Sequence, residues 1–138
     1  LAHRDAGLEG PARVPLDQIQ IVEGTVPPDG EPTVEVHTVA GEPDDQASVD
    51  LQTCETSGGG FDTLCAVWTD PSFNPRARSF YYARVLQTPT CRWSTYQCNS
   101  LPADERPDSC SSSAVPDTIR ERAWTSPIWV EPRDGAER

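Results

Sequence analysis

Residues 79–86, SFYYARVL, are the stretch that decides the fold, because they combine aromatic and aliphatic residues that favour β-strands. Successive side chains of a strand point to opposite faces. One face carries three apolar side chains and one arginine: Phe80, Tyr82, Leu86 and Arg84. The other face carries Tyr81, Ala83 and Val85. Apolar bulk on both faces predicts a central strand that is packed on both sides.

An antiparallel hairpin is predicted before this strand. Residues 16–22 and 34–37 both alternate between apolar and polar side chains, as strands do. Between them, the sequence Pro-Pro-Asp-Gly at 27–30 is a strong turn signal, because proline presets φ and glycine accepts a positive φ. His37 falls on the polar face of the second strand, so we expect it to be exposed and inert.

The remaining predicted strands are short, and they cover 49–51, 64–68, 119–124 and 128–130. The segment 64–68, LCAVW, is predicted to be buried, and the last two segments form a strand pair or one strand kinked at Pro127. Residues 88–118 are rich in proline and serine and are predicted to be irregular, and we expect no helix anywhere. The pattern favours an all-β fold, an antiparallel immunoglobulin-like β-sandwich fragment with a long irregular insertion.

The chain is predicted to comprise a tail or linker at 1–15, a β-rich domain at 16–132 and a C-terminal tail at 133–138. Its 138 residues suit one domain with a modest core. Because the sequence contains no methionine, we expect it to be a processed product or part of a longer chain. No apolar stretch of about 18 residues occurs, so no membrane span is expected.

Composition excludes several classes of protein. The 14 prolines and nine glycines argue against a coiled coil or helical bundle. The 22 acidic residues outnumber the 11 basic ones, and a net charge of −11 repels phosphate, so we expect no nucleic-acid partner. The acidic loop at 41–46 offers oxygen ligands for calcium, but its spacing matches no EF-hand, so a solvated charge run is the favoured interpretation.

The five cysteines indicate an oxidising compartment, because no CxxC pair or nearby histidine supports a zinc site. Cys54 and Cys65 flank a run of three glycines and are predicted to form one disulfide. Cys98 and Cys110 bracket a proline- and serine-rich loop and are predicted to form a second. Cys91 is then left over, and a bond between Cys91 and Cys98 stays open as an alternative.

No catalytic centre is visible in the sequence. The chain lacks lysine, a GxSxG motif and a histidine in a structured context, and the glycines at 58–60 lack the lysine and helix of a phosphate loop. Three arginines near aromatic residues stand out: Arg84, Arg92 and Arg122. An arginine beside a tryptophan can stack or can bind a carboxylate or phosphate, although pairing with one of the many acidic residues is the simpler interpretation.

Three segments together carry a resemblance to a known family: 80–86 (FYYARVL), 89–96 (PTCRWSTY) and 119–130 (IRERAWTSPIWV), preceded by 16–22 (LDQIQIV) and 66–71 (AVWTDP). In collinear order over 16–132, they resemble the C-terminal end of the bacterial family called domain of unknown function 3604. Two features depart from the usual pattern. Val130 replaces a more frequent tyrosine, and the last three cysteines belong to a cysteine-bearing subgroup.

The resemblance implies a function for the larger protein. Members are large, often exported bacterial proteins whose N-terminal part resembles the metal-dependent phosphoesterases named after polymerase and histidinol phosphatase. This chain has no HxH motif, so no catalytic or metal-binding residue and no cofactor is assigned to it, and a divalent metal is expected in the upstream part. We therefore expect a periplasmic or secreted accessory module whose partner is the upstream catalytic domain, with Arg92 and Arg122 as substrate-binding candidates.

A stand-alone ligand- or carbohydrate-binding β-sandwich is the alternative, with Trp93, Trp124 and Trp129 as the binding surface. Coplanar aromatic side chains on one exposed face would favour this alternative. An uncovered apolar patch would favour the accessory module, because such patches mark interaction surfaces.

Overall fold

One antiparallel sheet organises the residues that the computed structural model describes, which are 1–7, 13–42 and 47–132. The strands in chain order are β1 (Ala2–His3), β2 (Leu16–Val26), β3 (Thr33–Gly41), β4 (Ser48–Val49), β5 (Thr56–Ser57), β6 (Thr63–Leu64), β7 (Arg78–Gln87), β8 (Thr90–Cys91), β9 (Thr118–Ile119), β10 (Arg122–Trp124) and β11 (Ile128–Val130). The main sheet has the order β3–β2–β7, and both β10 and β11 pair with the far side of β7. The predicted all-β, antiparallel, sandwich-like class is confirmed.

The predicted hairpin is formed by β2 and β3, which are longer than the sequence pattern indicated. Val22 lies opposite Val36 and Gly24 opposite Val34, and the 27–30 sequence makes the turn. The register shifts once, between Ile19 and Gln20. Beyond this shift Gly41 adopts a φ of +76°, and a Cβ there would lie 2.2 Å from the carbonyl oxygen of Asp17, so only glycine fits this close approach.

Strand β7 is central in the sheet, as predicted, because β2 pairs with one of its sides and β10 and β11 with the other. Trp124 lies opposite Arg84 and Ile128 opposite Tyr81, so the five residues 124–128 lie opposite the four residues 81–84 of β7. The strands β10 and β11 are therefore one edge strand interrupted at Pro127, which is the second of the two sequence-based alternatives. Residues 80–87 are all of intermediate burial, so neither face of β7 is fully covered.

The core lies on one face of the sheet. Its fully buried members are Leu16, Ile19 and Leu64, and the partly buried side chains packed on them are Ala2, Val39, Ala40 and Val85. The pair β1–β6 covers this end of the sheet, with Ala2 opposite Leu64. The segment predicted as a tail or linker thus contributes a strand, and the division into domains stays a prediction.

Residues 88–118 hold more secondary structure than the sequence indicated. A helix, α1 (Trp93–Ser100), follows β8, and two 3-10 turns at Ala103–Glu105 and Asp108–Ser111 precede β9. The prediction that the chain has no helix is wrong at this position. Hydrogen bonds close the segment, because the Thr95 hydroxyl and the Arg92 amide both donate to the carbonyl oxygen of Asp117, at 2.8 and 2.9 Å.

The structure forms two disulfides, of which one has the predicted pairing. Cys98 and Cys110 are joined, with their Cα atoms 5.7 Å apart. The predicted Cys54–Cys65 bond is wrong, because Cys54 is joined to Cys91 and Cys65 is free and exposed. The three glycines do not close a hairpin between Cys54 and Cys65. They lead instead into Phe61, which bridges to Leu16 and carries the chain away from Cys54.

Two other predictions need correction or fall outside the described residues. The predicted buried strand at 64–68 is wrong, because only Thr63–Leu64 is a strand and Val67 is 97% exposed. The segment at 49–51 is a strand only over Ser48–Val49. Most of the acidic loop, residues 43–46, lies outside the described residues, so its interpretation stays a prediction. In the part of the chain described, no helix is long and apolar enough to cross a membrane.

Candidate functional site

An aromatic face lies on the side of the main sheet opposite the core. We define it by six side chains that the alternation of the strands places together: Val34, Val36, Phe80, Tyr82, Trp124 and Trp129. The four rings, together with Arg84 and Arg122, line a cavity of about 450 Å³. The side chains that the sequence assigned to one face of β7 therefore do share a surface.

Phe80 lies flat on the sheet because its neighbour on β2 is Gly24. A Cβ at Gly24 would lie 2.2 Å from Cε1 of Phe80, so any larger residue would displace the ring. The rings of Phe80 and Tyr82 are nearly parallel, at 8° with centroids 6.3 Å apart. Trp129 is tilted by 53° against Phe80 at 5.3 Å. The rings thus form a packed apolar surface with one parallel pair.

Large side chains on the aromatic face are open to solvent. Val34 is 68% exposed, Trp124 64% and Trp129 67%. Contiguous exposed apolar surface of this kind marks an interaction site.

The cavity on the aromatic face is positively charged within an acidic chain. Arg84 donates from Nε to Oε1 of Gln20 at 2.8 Å, which fixes its guanidinium on the sheet. Arg122 lies on the exposed edge strand, and no carboxylate of the described residues is within ion-pair distance of it. Among the described residues, neither an aspartate nor a glutamate lines the cavity. Its electrostatics favour a partner that presents negative charge.

The structure does not bring Arg92 and Arg122 to one site. Arg92 precedes α1, is half-buried, and its Nε is buried without a hydrogen-bond partner in the part of the chain described. Trp93 lies beside it and lines a separate depression next to the Cys98–Cys110 disulfide. Of the residues singled out from the sequence, Arg84, Arg122, Trp124 and Trp129 therefore lie together at the aromatic face, whereas Arg92 and Trp93 do not.

A polar cluster occupies the opposite face of the sheet, beyond the core. Glu23 lies directly opposite both Glu35 and Tyr81, and His37 follows two residues after Glu35 on the same face. The Nε2 atom of His37 is 3.1 Å from Oε2 of Glu23 and 3.7 Å from Oε2 of Glu35. Glu23 is only 6% exposed. The prediction that His37 is exposed is wrong, because it is half-buried and contacts two carboxylates, whereas the prediction that it is inert stays a prediction.

The segment after β6 closes the polar cluster. The ring of Trp68 lies 4.9 Å from that of His37. The Tyr81 hydroxyl donates to Oδ2 of Asp70 at 2.7 Å and lies 3.5 Å from Oε1 of Glu23. Sequence reasoning missed this cluster. Its only signal was the alternation that places Glu35 and His37 on one face, and the residue opposite them depends on the register of β2.

Two pKa values in the polar cluster are shifted. Burial, the hydrogen bond to Asp70 and the nearby charge of Glu23 together raise the pKa of Tyr81 to about 12. Burial by itself would raise the pKa of Asp70, but hydrogen bonds from Tyr81 and Ser72 outweigh it and lower that pKa. The folded state therefore favours a neutral Tyr81 beside an ionised Asp70.

Replacing Tyr81 by phenylalanine should lower the free energy of unfolding at pH 7 by about 1–2 kcal/mol, since a hydrogen bond to a carboxylate is lost. The loss should shrink in acid. Because folding lowers the pKa of Asp70, the ionised carboxylate contributes fully to stability above pH 3.8, the ordinary pKa of aspartate. That contribution is lost as the pH falls through the lower pKa of the folded state. In the unchanged chain, stability should also fall between pH 10 and about 12, where Tyr81 resists ionisation.

Urea unfolding between pH 2 and 12 measures these effects of Tyr81. Tyr82→Phe is the matched control, because Tyr82 is the neighbouring tyrosine on the opposite face of β7. Equal losses for the two variants, or a loss for Tyr81→Phe that does not change with pH, would contradict the assignment.

The comparisons with known proteins give one match. The model of a family described as protein of unknown function (DUF3604) matches residues 2–132. No curated protein and no solved structure matches the chain. The match covers nearly the whole sequence and includes every strand described above. The chain belongs to the DUF3604 family of proteins of unknown function.

Proposed function

We propose that this chain is the β-rich accessory module of an exported, metal-dependent hydrolase, and that its aromatic face packs against the upstream catalytic part of the same polypeptide. The uncovered aromatic face is the observation that carries the proposal. Burying a large apolar side chain stabilises a protein by roughly 1.5–3 kcal/mol, so covering Val34, Trp124 and Trp129 would supply a substantial docking energy.

Charge supports an upstream segment over a second copy of this chain as the partner. Each copy carries a net charge of −11, so two copies repel one another at low salt. Arg84 and Arg122 border the apolar rings, and they favour a partner with carboxylates at the matching positions. The position of the family resemblance, at the C-terminal end of its members, agrees with a partner that precedes this chain.

The module itself contributes binding surface to the proposed hydrolase. When bound in the upstream part, a divalent metal would activate water for hydrolysis of a phosphoester or a similar bond. Arg122 lies at the rim of the aromatic face, where it can reach an anionic substrate held at the domain interface. Arg92 stays a second substrate-binding candidate at a separate position.

The two disulfides indicate an oxidising environment, since such bonds persist outside the cytosol. We therefore infer a periplasmic or secreted location for the whole protein. The same bonds suit a module that must stay folded with little core of its own.

A carbohydrate-binding module is the second candidate, and the parallel rings of Phe80 and Tyr82 favour it. Two observations weigh against it. Trp93 lies away from the aromatic face, and the tilt of Trp129 breaks the flat platform on which a sugar ring would stack.

The double variant Trp124→Ser, Trp129→Ser tests the docking surface. We expect the 138-residue chain to bind an apolar dye such as anilinonaphthalene sulfonate, and we expect the double variant to lose most of that binding. In the protein that includes the upstream part, the face should be covered, so dye binding should be absent and the variant should lower the melting temperature.

Trp93→Ser is the matched control, because Trp93 is 71% exposed but lies off the aromatic face. Dye binding that persists in the longer protein would contradict the proposal. So would a concentration-dependent dimer of the 138-residue chain that the double variant abolishes. Binding of a soluble polysaccharide that the same variant abolishes would favour the second candidate.

A further inference from the structure

We propose that Glu23, Glu35 and His37 form a binding site for a divalent first-row transition metal ion, with Zn²⁺ as its simplest representative. One carboxylate oxygen of each glutamate and one imidazole nitrogen lie within 4.8 Å of one another. The site lies on the opposite side of the sheet from the aromatic face, and it stands independently of the proposed function.

The distances suit one shared ion. Zinc binds histidine nitrogen and carboxylate oxygen at about 2.0–2.2 Å, so two ligand atoms at tetrahedral positions lie roughly 3.4 Å apart. The separations from Nε2 of His37 are 3.1 Å to Glu23 and 3.7 Å to Glu35, one on either side of that value. Glu35 is largely exposed, so its side chain can adjust to the ion.

The two carboxylates give the site a negative charge that favours a bound cation, and this argument is independent of the distances. Glu23 is buried, yet no arginine of the described residues pairs with it and the chain contains no lysine. Glu35 lies directly opposite on the neighbouring strand, and like charges at opposed positions destabilise a sheet. A protonated His37 would supply one positive charge for two carboxylates, whereas a divalent ion would balance both.

Neighbouring groups orient the ligands. The Thr25 hydroxyl donates to Oε1 of Glu23 at 3.1 Å, which leaves Oε2 directed at His37. The ring of Trp68 restricts the imidazole of His37 from one side. Partners of this kind fix the ligands of metal sites in proteins.

The donor set selects the class of metal. One imidazole nitrogen and two carboxylate oxygens suit Zn²⁺ and its neighbours, whereas Ca²⁺ takes six to eight oxygen ligands. Three protein ligands also leave a coordination position for water, as at catalytic zinc sites.

The experiment titrates ZnCl₂ into the full 138-residue chain by isothermal calorimetry, in a Cys65→Ser background so that the free thiol does not compete. We expect one ion per chain. Removing a ligand should weaken binding at least about tenfold, since the loss of even a supporting partner costs that much. Glu35→Gln is the main variant, because its exposed position leaves the fold undisturbed.

His3→Asn is the matched control for His37→Asn, because His3 is the other of the two histidines and its ring is hydrogen-bonded to the Thr63 hydroxyl, away from any carboxylate pair of the described residues. The proposal predicts that His37→Asn abolishes zinc uptake and that His3→Asn leaves it unchanged. Absence of zinc binding, affinity unchanged in Glu35→Gln, or loss of binding on His3→Asn would each overturn it. Circular dichroism of every variant separates loss of the site from loss of the fold.

Discussion

Replacing Cys54 and Cys91 together by serine should lower the free energy of unfolding by about 4 kcal/mol. The bond joins residues 37 positions apart, and a cross-link stabilises mainly by restricting the unfolded chain, more so for longer loops. This loss is comparable with the whole stability of a small domain that has little core. We therefore expect the double variant to be largely unfolded at 37 °C.

The Cys54–Cys91 bond also holds local structure in place. Cys54 ends a turn in which its amide donates to the carbonyl oxygen of Asp50 at 2.7 Å. The side chain of Asn99, on α1, donates to the carbonyl oxygen of Leu51 at 2.8 Å and so docks on the same turn. Without the disulfide, β8 and α1 lose their covalent attachment to the β4–β5 hairpin and keep only contacts such as the hydrogen bond from Asn99.

Urea unfolding with and without reductant measures the effect, and two cysteine variants calibrate it. Replacing both Cys98 and Cys110 by serine should lower the free energy of unfolding by about 3 kcal/mol, because the loop that this disulfide closes spans only 12 residues. Cys65→Ser should leave the free energy of unfolding unchanged, because the Cys65 thiol is free and exposed. A Cys54–Cys65 peptide in a non-reducing digest would show that the assigned pairing is incorrect.

Strands with regular alternation, or with many β-favouring residues in succession, could be predicted from sequence, and the others could not. The hairpin carries a period of two, and β7 combines aromatic and aliphatic residues over a long stretch. The segment 64–68 carries an apolar run without that period, and Val67 is 97% exposed. An apolar run indicates burial somewhere, but it does not say whether the chain or a partner provides it.

The helix α1 could not be predicted from the sequence, and the reason is physical. Its sequence, WSTYQCNS, has no apolar period and contains residues with modest helix propensity. The Cys98–Cys110 bond and the burial of Thr95 hold it, and both are tertiary effects. Cysteine connectivity has the same origin, since five cysteines allow several pairings and only the fold selects one.

The candidate sites, too, divide into features that the sequence indicates and features that depend on the tertiary structure. The carbohydrate-binding alternative grouped Trp93, Trp124 and Trp129, and only the last two share the aromatic face. Regular alternation would place Trp124 and Trp129, five residues apart, on opposite faces, and the interruption of the edge strand at Pro127 brings them to one face. The polar cluster depends on which residue of β2 faces His37, and a slip of one residue would replace Glu23 by a neighbour that points to the other face. The register of β2 against β3 therefore decides whether the cluster exists, and the sequence of a single strand does not determine that register.

A buried ion pair between Asp17 and Arg120 should prove a second strong determinant of stability. Asp17 is only 2% exposed, and its Oδ2 accepts hydrogen bonds from both Arg120 and the side chain of Gln18. The two partners are 103 residues apart in sequence, so the pair joins the start of β2 to the segment between β9 and β10. Arg120→Met should lower the free energy of unfolding by about 3–5 kcal/mol, because it leaves a buried carboxylate without its cation.

A double-mutant cycle with Asp17→Asn separates the value of the pair from the cost of an unpaired charge. Removing the charge of Asp17 in the Arg120→Met background should restore part of the lost stability, because the amide no longer needs a cation. The energies of the two single variants should therefore not add in the double variant. Strict additivity in urea unfolding would mean that the two side chains do not interact, and that other contacts hold the edge strand on β7.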